Sequence, residues 1–243
     1  MAIRHLVKPL AIEFIGKKLI GPDVYTFSFR PPSNTTWRAG QYGLFEISLS
    51  DKKVKRKPFS IASVPAENNI TIATRIKKDS QDVFKRALLK IKKGTSLKLR
   101  GPIGSMYIKN YHKKYAFLAS GISITPFRSI LKQLSLSDKT KDINIKLFYV
   151  GNRENHFFRD DLNEFKSKLP NLEVIYIYKP ERITGQVIEE KLGQALFSTV
   201  FFLSGSPSLV KNYRRTLEGL GISKKYIKRN PFWGYKTSKN QSL

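Results

Sequence analysis

The chain has 243 residues, 40% of them hydrophobic and 12% aromatic, with no cysteine and a formal net charge of +27. This composition suits one large or two modest globular domains rather than a disordered chain. It excludes disulfides, thiolate zinc sites, iron–sulfur clusters and cysteine nucleophiles. The three histidines, His5, His112 and His156, are scattered along the chain and give little basis for a metal site or a triad, so redox chemistry falls to an organic cofactor. No apolar run reaches the roughly 18 residues that span a bilayer; the best, Tyr115 to Ile124, has ten. Lys8 and Glu13 interrupt the apolar residues of the N-terminus, which does not read as a signal peptide. A soluble cytoplasmic protein is the expectation.

From the N-terminus the chain reads as short strands. Ile12–Ile20, Val24–Phe29, Tyr42–Leu49, Phe59–Ala62, Ile70–Ile76 and Ser96–Leu99 are β-branched or aromatic and often alternate. Gly21-Pro22, Pro31-Pro32-Ser33-Asn34, Arg38-Ala39-Gly40, Asn68-Asn69 and Lys93-Gly94 punctuate them. A helix is predicted over Gln81–Leu89, with Asp79 or Ser80 as N-cap. Together these segments predict a closed antiparallel barrel. After Gly101-Pro102 strands and helices alternate. Strands are expected at Tyr115–Ala119, Ile143–Val150, Leu172–Tyr178 and Thr199–Ser204, and helices at Pro126–Leu136, Phe158–Lys168, Gly185–Leu196 and Ser208–Leu220. That order predicts a doubly wound parallel sheet. Two domains follow, residues 1–110 and 111–243, with the boundary near Lys109–Lys113 and a loose tail from Lys236.

The positive charge is shared between the two halves. Such a field attracts nucleic acid, anionic membrane, acidic proteins or phosphorylated ligands, and a generally Lys-rich composition with no specific partner accounts for it equally well. Lys52-Lys53-Val54-Lys55-Arg56-Lys57 reads as a solvated hairpin tip or as a nucleic-acid patch.

Three segments carry chemistry. Lys57-Pro58-Phe59-Ser60-Ile61-Ala62-Ser63 offers a charge for phosphate, a ring for stacking and a hydroxyl beside it, as a basic edge strand also does. Leu118-Ala119-Ser120-Gly121-Ile122-Ser123-Ile124-Thr125-Pro126-Phe127 follows the first parallel strand and opens a helix, whose N-terminus presents free N–H groups to an anion. A tight turn without a ligand fits it too. Phe202-Leu203-Ser204-Gly205-Ser206-Pro207-Ser208-Leu209 repeats the arrangement after the fourth strand, so that the two turns bracket a crevice.

In this order the segments resemble the ferredoxin–NADP reductase superfamily. Lys57-Pro58-Phe59-Ser60 is similar to its Arg-x-Tyr-Ser flavin signature, and Gly101-Pro102-Ile103-Gly104 to the Gly-Pro-x-Gly that ends its barrel. Ser120 to Pro126 resembles its nicotinamide loop, Ser204-Gly205-Ser206 its Cys-Gly-Pro motif, and Phe232-Trp233-Gly234-Tyr235 its closing aromatic element. Asp79-Ser80-Gln81-Asp82-Val83-Phe84-Lys85 is similar to its barrel-capping helix start. The resemblance implies a Greek-key β-barrel for FAD followed by a doubly wound α/β domain for NAD(P)H. By the same resemblance Lys57, Arg75, Val83, Phe84 and Lys85 would hold the flavin diphosphate, with Pro58 in the same motif. Phe59 would stack on the isoalloxazine, Ser60 would bond near N5, and Phe232 would cover the other face. Gly121, Ile122, Ser123 and Thr125, with Gly205, Ser206, Pro207 and Leu209, would guide the nicotinamide. Asn152 and Arg153 would meet the adenosine ribose, and Ser60, Ser204 and Phe232 would be the catalytic set. No metal is implied.

The departures are Lys57 for Arg, Phe59 for Tyr, Ser120 and Ser123 for glycines, Ser204 for Cys, and Asn230 where an acidic residue often stands. The implied activity is hydride transfer from NAD(P)H to FAD, then electron transfer to a separate acceptor, an acidic ferredoxin or flavodoxin or a small molecule. A flavin- or nucleotide-binding regulatory module without turnover is the second reading, and a basic nucleic-acid binder the third.

Overall fold

The computed structural model describes residues 8–49, 53–140 and 142–232. Trp233, Gly234, Tyr235, the expected tail, Lys52 and His5 lie outside the described residues. Six strands build the N-terminal sheet: β1 (Leu10–Gly21), β2 (Val24–Arg30), β3 (Tyr42–Ser48), β4 (Val54–Ser60), β5 (Ile70–Arg75) and β6 (Ser96–Ile103), with α1 (Val83–Lys90) between the last two. All pairings are antiparallel, in the Greek-key order β4-β3-β6-β1-β2-β5. The two end strands meet through the Ala62 N–H, which donates to Thr71 O at 2.7 Å. Inside, a file of aromatic rings runs from Phe14 through Phe29, Phe45 and Phe59 to Phe84, with successive centroids 5.6–5.8 Å apart.

Of the basic run, Lys53 lies in the β3–β4 connection and Val54–Lys57 belong to the strand, where Lys55, Arg56 and Lys57 pair with Ile47, Glu46 and Phe45. Among the paired strands β4 has β3 alone as its partner, so Pro58 forfeits no ladder bond and long cations can stand in solvent. The following helix starts later than expected, at Val83. Its N-cap is Asp82, whose carboxylate accepts the Lys85 N–H, while Ser80 Oγ accepts the Asp82 N–H. Several residues in this stretch have capping side chains, and the position of the first helical turn decides which one is used.

The C-terminal half is a five-stranded parallel sheet in the order β11-β10-β7-β8-β9. Its strands are β7 (Lys114–Ser120), β8 (Ile145–Gly151), β9 (Leu172–Tyr178), β10 (Thr199–Gly205) and β11 (Ile227–Pro231). Helices α2 (Thr125–Ser135) and α3 (Arg159–Lys168) cover one face, and α4 (Gly185–Leu192) and α5 (Pro207–Gly219) the other. Phe117 shows the layering, stacked 4.7 Å from Phe127 of α2 and 5.4 Å from Phe202 of β10. The fourth helix stops at Gly193, whose φ of +49° takes the chain out of the helix before Leu196. The strand β11 has no counterpart in the sequence expectations: only Ile227 and Asn230 of Ile-Lys-Arg-Asn-Pro are buried, so its hydrophobic signal is slight.

The two halves are bolted together. Arg128 of α2 donates to Ala62 O at 3.0 Å, to both oxygens of Glu67 at 2.8 and 2.9 Å, and to Asp161 at 2.7 Å. The Gly40 N–H donates to Ser129 Oγ at 2.9 Å. A Cβ on Gly40 would lie 1.9 Å from Met106 O, and its φ of +94° also demands glycine. Among the described residues no helix is long and apolar enough to cross a membrane.

Candidate functional site

Alternation along β4 sends Lys57 and Phe59 to one side and Pro58 and Ser60 to the other. Phe59 is buried, its ring 5.6 Å from Phe84 and 5.8 Å from Phe45. The ring expected to stack on a ligand therefore lies largely in the barrel core. Ser60 is buried and its Oγ accepts a hydrogen bond from Asn230 Nδ2 at 3.0 Å.

Lys57 pairs with Asp82, the cap of α1. One turn into that helix Lys85 is 8% exposed and donates to Arg75 O at 2.8 Å, which holds its ammonium under the barrel rim. Burial first and then the charge of Lys57 push the Lys85 ammonium down to about 8, with Arg75 adding to the shift and Asp82 opposing it. Arg75 reaches across to Asn155 in the turn after β8. Val83 is exposed, and Phe84 is buried beside Phe59. The barrel residues named from sequence thus gather around the N-terminus of α1.

On the sheet side the crevice is lined by the turn after β7 and by the end of β11, which is tied to the turn after β10 through Phe232. After β7 the residues Gly121–Ile124 form a 3-10 turn. Ser123 Oγ accepts the Ser120 N–H at 2.7 Å, and Thr125 Oγ1 donates to Ile122 O at 3.0 Å. Both side chains are buried and bonded within the loop, and Gly121 and Ile122 are its more exposed residues. The Tyr149 hydroxyl donates to Gly121 O at 2.9 Å and accepts the Phe157 N–H at 2.9 Å, tying this loop to the one after β8. There Asn152 and Arg153 are exposed.

After β10, Ser206 caps α5 by accepting the Leu209 N–H, with Pro207 in the first turn. A Cβ on Gly205 would meet Leu209 Cδ2 at 2.7 Å, and Gly205 O accepts the Phe232 N–H at 2.7 Å. Phe232 thereby stands over the crevice. A cavity of about 20 Å³ lies among Lys57, Thr74, Ile122, Thr125 and Phe232. A second, of about 110 Å³, lies among Tyr42, Arg229, Asn230 and Phe232. Pro58, Phe59, Ser60 and Phe232 line both.

Of the expected catalytic set, Ser60 and Phe232 face these cavities. Ser204 does not: it is fully buried, opposite Asn230 in the β10–β11 register, and its Oγ has no hydrogen-bond partner. Thr74 Oγ1, on the cavity wall, is likewise buried and unpartnered. Three residues escape a sequence reading of roles: Thr74, Asp82 and Asn155. The signal for Thr74 is its place beside Arg75 on an alternating strand. Asp82 lies in the helix-start motif beside other capping side chains, and Asn155 shows no signal, because an amide in a loop has many uses.

The donor set fits FAD: three cations and a helix N-terminus suit a diphosphate, and the cavity walled by Pro58, Phe59, Ile122 and Phe232 offers flat apolar surface with a free hydroxyl at Thr74. A Greek-key barrel with such a helix start, followed by a parallel sheet whose strand ends face it, defines a two-domain flavin- and nicotinamide-binding protein. Residues 11–108 match the family model described as oxidoreductase FAD-binding domain, and residues 117–215 the one described as oxidoreductase NAD-binding domain. The chain belongs to the ferredoxin–NADP reductase superfamily.

It is 27% identical over 169 residues to CDP-6-deoxy-L-threo-D-glycero-4-hexulose-3-dehydrase reductase of Yersinia pestis, covering 68% of this chain and 47% of that one. It is 25% identical over 203 residues to the ferredoxin–NAD(P)(+) reductase component of the naphthalene 1,2-dioxygenase system of Pseudomonas putida, covering 80% and 60%. Its fold matches the FAD/NAD-binding domain of nitric oxide dioxygenase from Vibrio cholerae with a TM-score of 0.77 at 18% identity, covering 92% and 98%. The chain spans about half the length of the first curated relatives it matches.

Proposed function

We propose that the protein is a cytoplasmic NAD(P)H-dependent FAD oxidoreductase that passes electrons to a separate acceptor. The observation that carries this reading is the meeting, around one crevice, of the β4 segment Lys57–Ser60 with the turn after β7 and with the end of β11 and Phe232. FAD supplies the chemistry, accepting a hydride and releasing electrons one at a time. The protein supplies binding, orientation and exclusion of water. Lys57, Lys85, Arg75 and the start of α1 hold the diphosphate, and Pro58 and the rim of Phe59 support the ring system. Ser60, whose Oγ accepts from Asn230, keeps its own proton to donate into the crevice. Gly121, Ile122, Ser123 and Thr125 shape one wall for the nicotinamide, and Gly205, Ser206, Pro207 and Leu209 the other. Phe232 covers the space until the nicotinamide takes it. Asn152 and Arg153, exposed at the end of β8, are free to meet the adenosine ribose. The unit boundary falls near Lys109–Lys113, between β6 and β7. A surface at +27 favours an acidic partner such as a ferredoxin or flavodoxin.

The test is anaerobic mixing of the FAD-reconstituted protein with NADH and with NADPH while the visible flavin band is followed. Rapid bleaching by one of them is the expected result, and protein that takes up no FAD overturns the reading. The replacement of an acid by Asn230 and of a thiol by Ser204 favours a second reading, a flavin-binding module without turnover. FAD uptake without bleaching by either nucleotide would select it.

A further inference from the structure

The carboxylate of Asp82 occupies the place of an anion. One oxygen accepts the Lys85 N–H of the first helical turn at 3.1 Å, and the other pairs with the Lys57 ammonium. A phosphate uses the same two kinds of group. The pair is partly withdrawn from water, the Lys57 side chain being 13% exposed and that of Asp82 27%. Around it stand Lys85, with its ammonium on Arg75 O, and Arg75, turned towards Asn155. Lys57, Lys85 and Arg75 are like charges crowded at one rim, and Asp82 is the acid among them, paired with Lys57 and capping the helix at the Lys85 N–H.

We infer that Asp82 is an internal competitor at the flavin diphosphate site, setting how tightly a phosphorylated flavin binds. The inference rests on the FAD reading above. With the site empty, the carboxylate neutralises the cations and keeps them together. An arriving diphosphate must take over Lys57 and the helix N–H groups while Asp82 remains as a like charge beside it. Removing the charge raises the energy of the empty site and lowers that of the filled one, so both effects tighten binding.

The experiment compares flavin-free wild-type protein with Asp82→Asn, which keeps an oxygen to cap α1, and with Asp82→Ser as a second capped variant. Binding of FAD and of riboflavin, which has no phosphate, is titrated by fluorescence at low ionic strength. FAD affinity is expected to rise about tenfold in both variants, as befits relief of one like-charge contact at a partly exposed rim. Riboflavin affinity is expected to stay as in wild type. Unchanged or weaker FAD binding overturns the inference, and so does a parallel gain for riboflavin, which would mean a general change in the barrel. If wild type and variants all fail to bind either flavin, the flavin reading falls and takes this inference with it.

Discussion

Asn230 donates to Ser60 Oγ at 3.0 Å across 170 residues of sequence, joining the last described strand of the sheet to the edge strand of the barrel. Both residues are largely buried, on the wall of the cavity of about 110 Å³. Directly behind Asn230 in the sheet lies Ser204, whose hydroxyl is buried with no partner. Two serines beside Asn230, one on the cavity wall and one buried behind it, thus stand in opposite energetic situations.

The pair makes a contrast in stability. Ser60→Ala removes the acceptor of the largely buried Asn230 amide and is expected to cost about 1 kcal/mol. Ser204→Ala removes a hydroxyl that already lacks a partner, so it is expected to be neutral or to stabilise by about 1 kcal/mol. Urea denaturation of the two variants beside wild type checks both signs.

Lys85 gives a pH dependence. Its ammonium falls from an ordinary 10.5 to about 8 on folding, chiefly through burial. Between those values the unfolded chain holds a proton that the folded chain has released, so stability rises with pH across that window. Below about 8 both states carry the charge and the cost of burying it is full; above 10.5 the cost is gone. Lys85→Met is expected to flatten this rise in denaturation curves taken from pH 7 to 11. FAD affinity is expected to weaken above about pH 8 in wild type, because the diphosphate binds the charged form, and to lose that dependence in Lys85→Met. An affinity profile unaltered by the substitution would remove Lys85 from the diphosphate site.

Arg128 holds the halves in register. Its side chain is 13% exposed and bonds to Ala62 O, Glu67 and Asp161. Arg128→Met leaves two carboxylates facing an apolar chain and is expected to cost about 2–4 kcal/mol. Arg128→Lys is expected to recover little of this, since one ammonium cannot span acceptors on two sides. Limited proteolysis near Lys109–Lys113, faster in both variants, would report loosening of the crevice.

Thr74 offers a smaller test of the cavity wall. Its hydroxyl is buried, unpartnered and on the lining. Thr74→Val keeps the shape and removes the hydroxyl. It is expected to leave the apoprotein as stable as wild type or more so, and to weaken flavin binding severalfold if the hydroxyl bonds to the ring. Equal affinity in equilibrium titration would exclude that bond.

The architecture could be read from the chain because its signals are local. Alternation along β1, β2 and β5, the glycine and proline turns, and the strand–helix rhythm after Gly101 each occupy a few consecutive residues, and periodicity reports them directly. The gathering of Lys57, Arg75 and Lys85 at one helix start was likewise legible through the family resemblance of their motifs. The sequence did not determine which charges and hydroxyls meet. Strand β11 is held by pairing with β10 rather than by a hydrophobic run of its own. The direction of the Phe59 ring is decided by Phe45 and Phe84, from a different strand and from a helix. The engagement of Lys57 by Asp82 and of Ser60 by Asn230 depends on a helix start and a strand register that bring distant residues within hydrogen-bond reach. Such contacts are only a few ångströms long and leave no periodic trace in a sequence, so only the packed tertiary structure decides them.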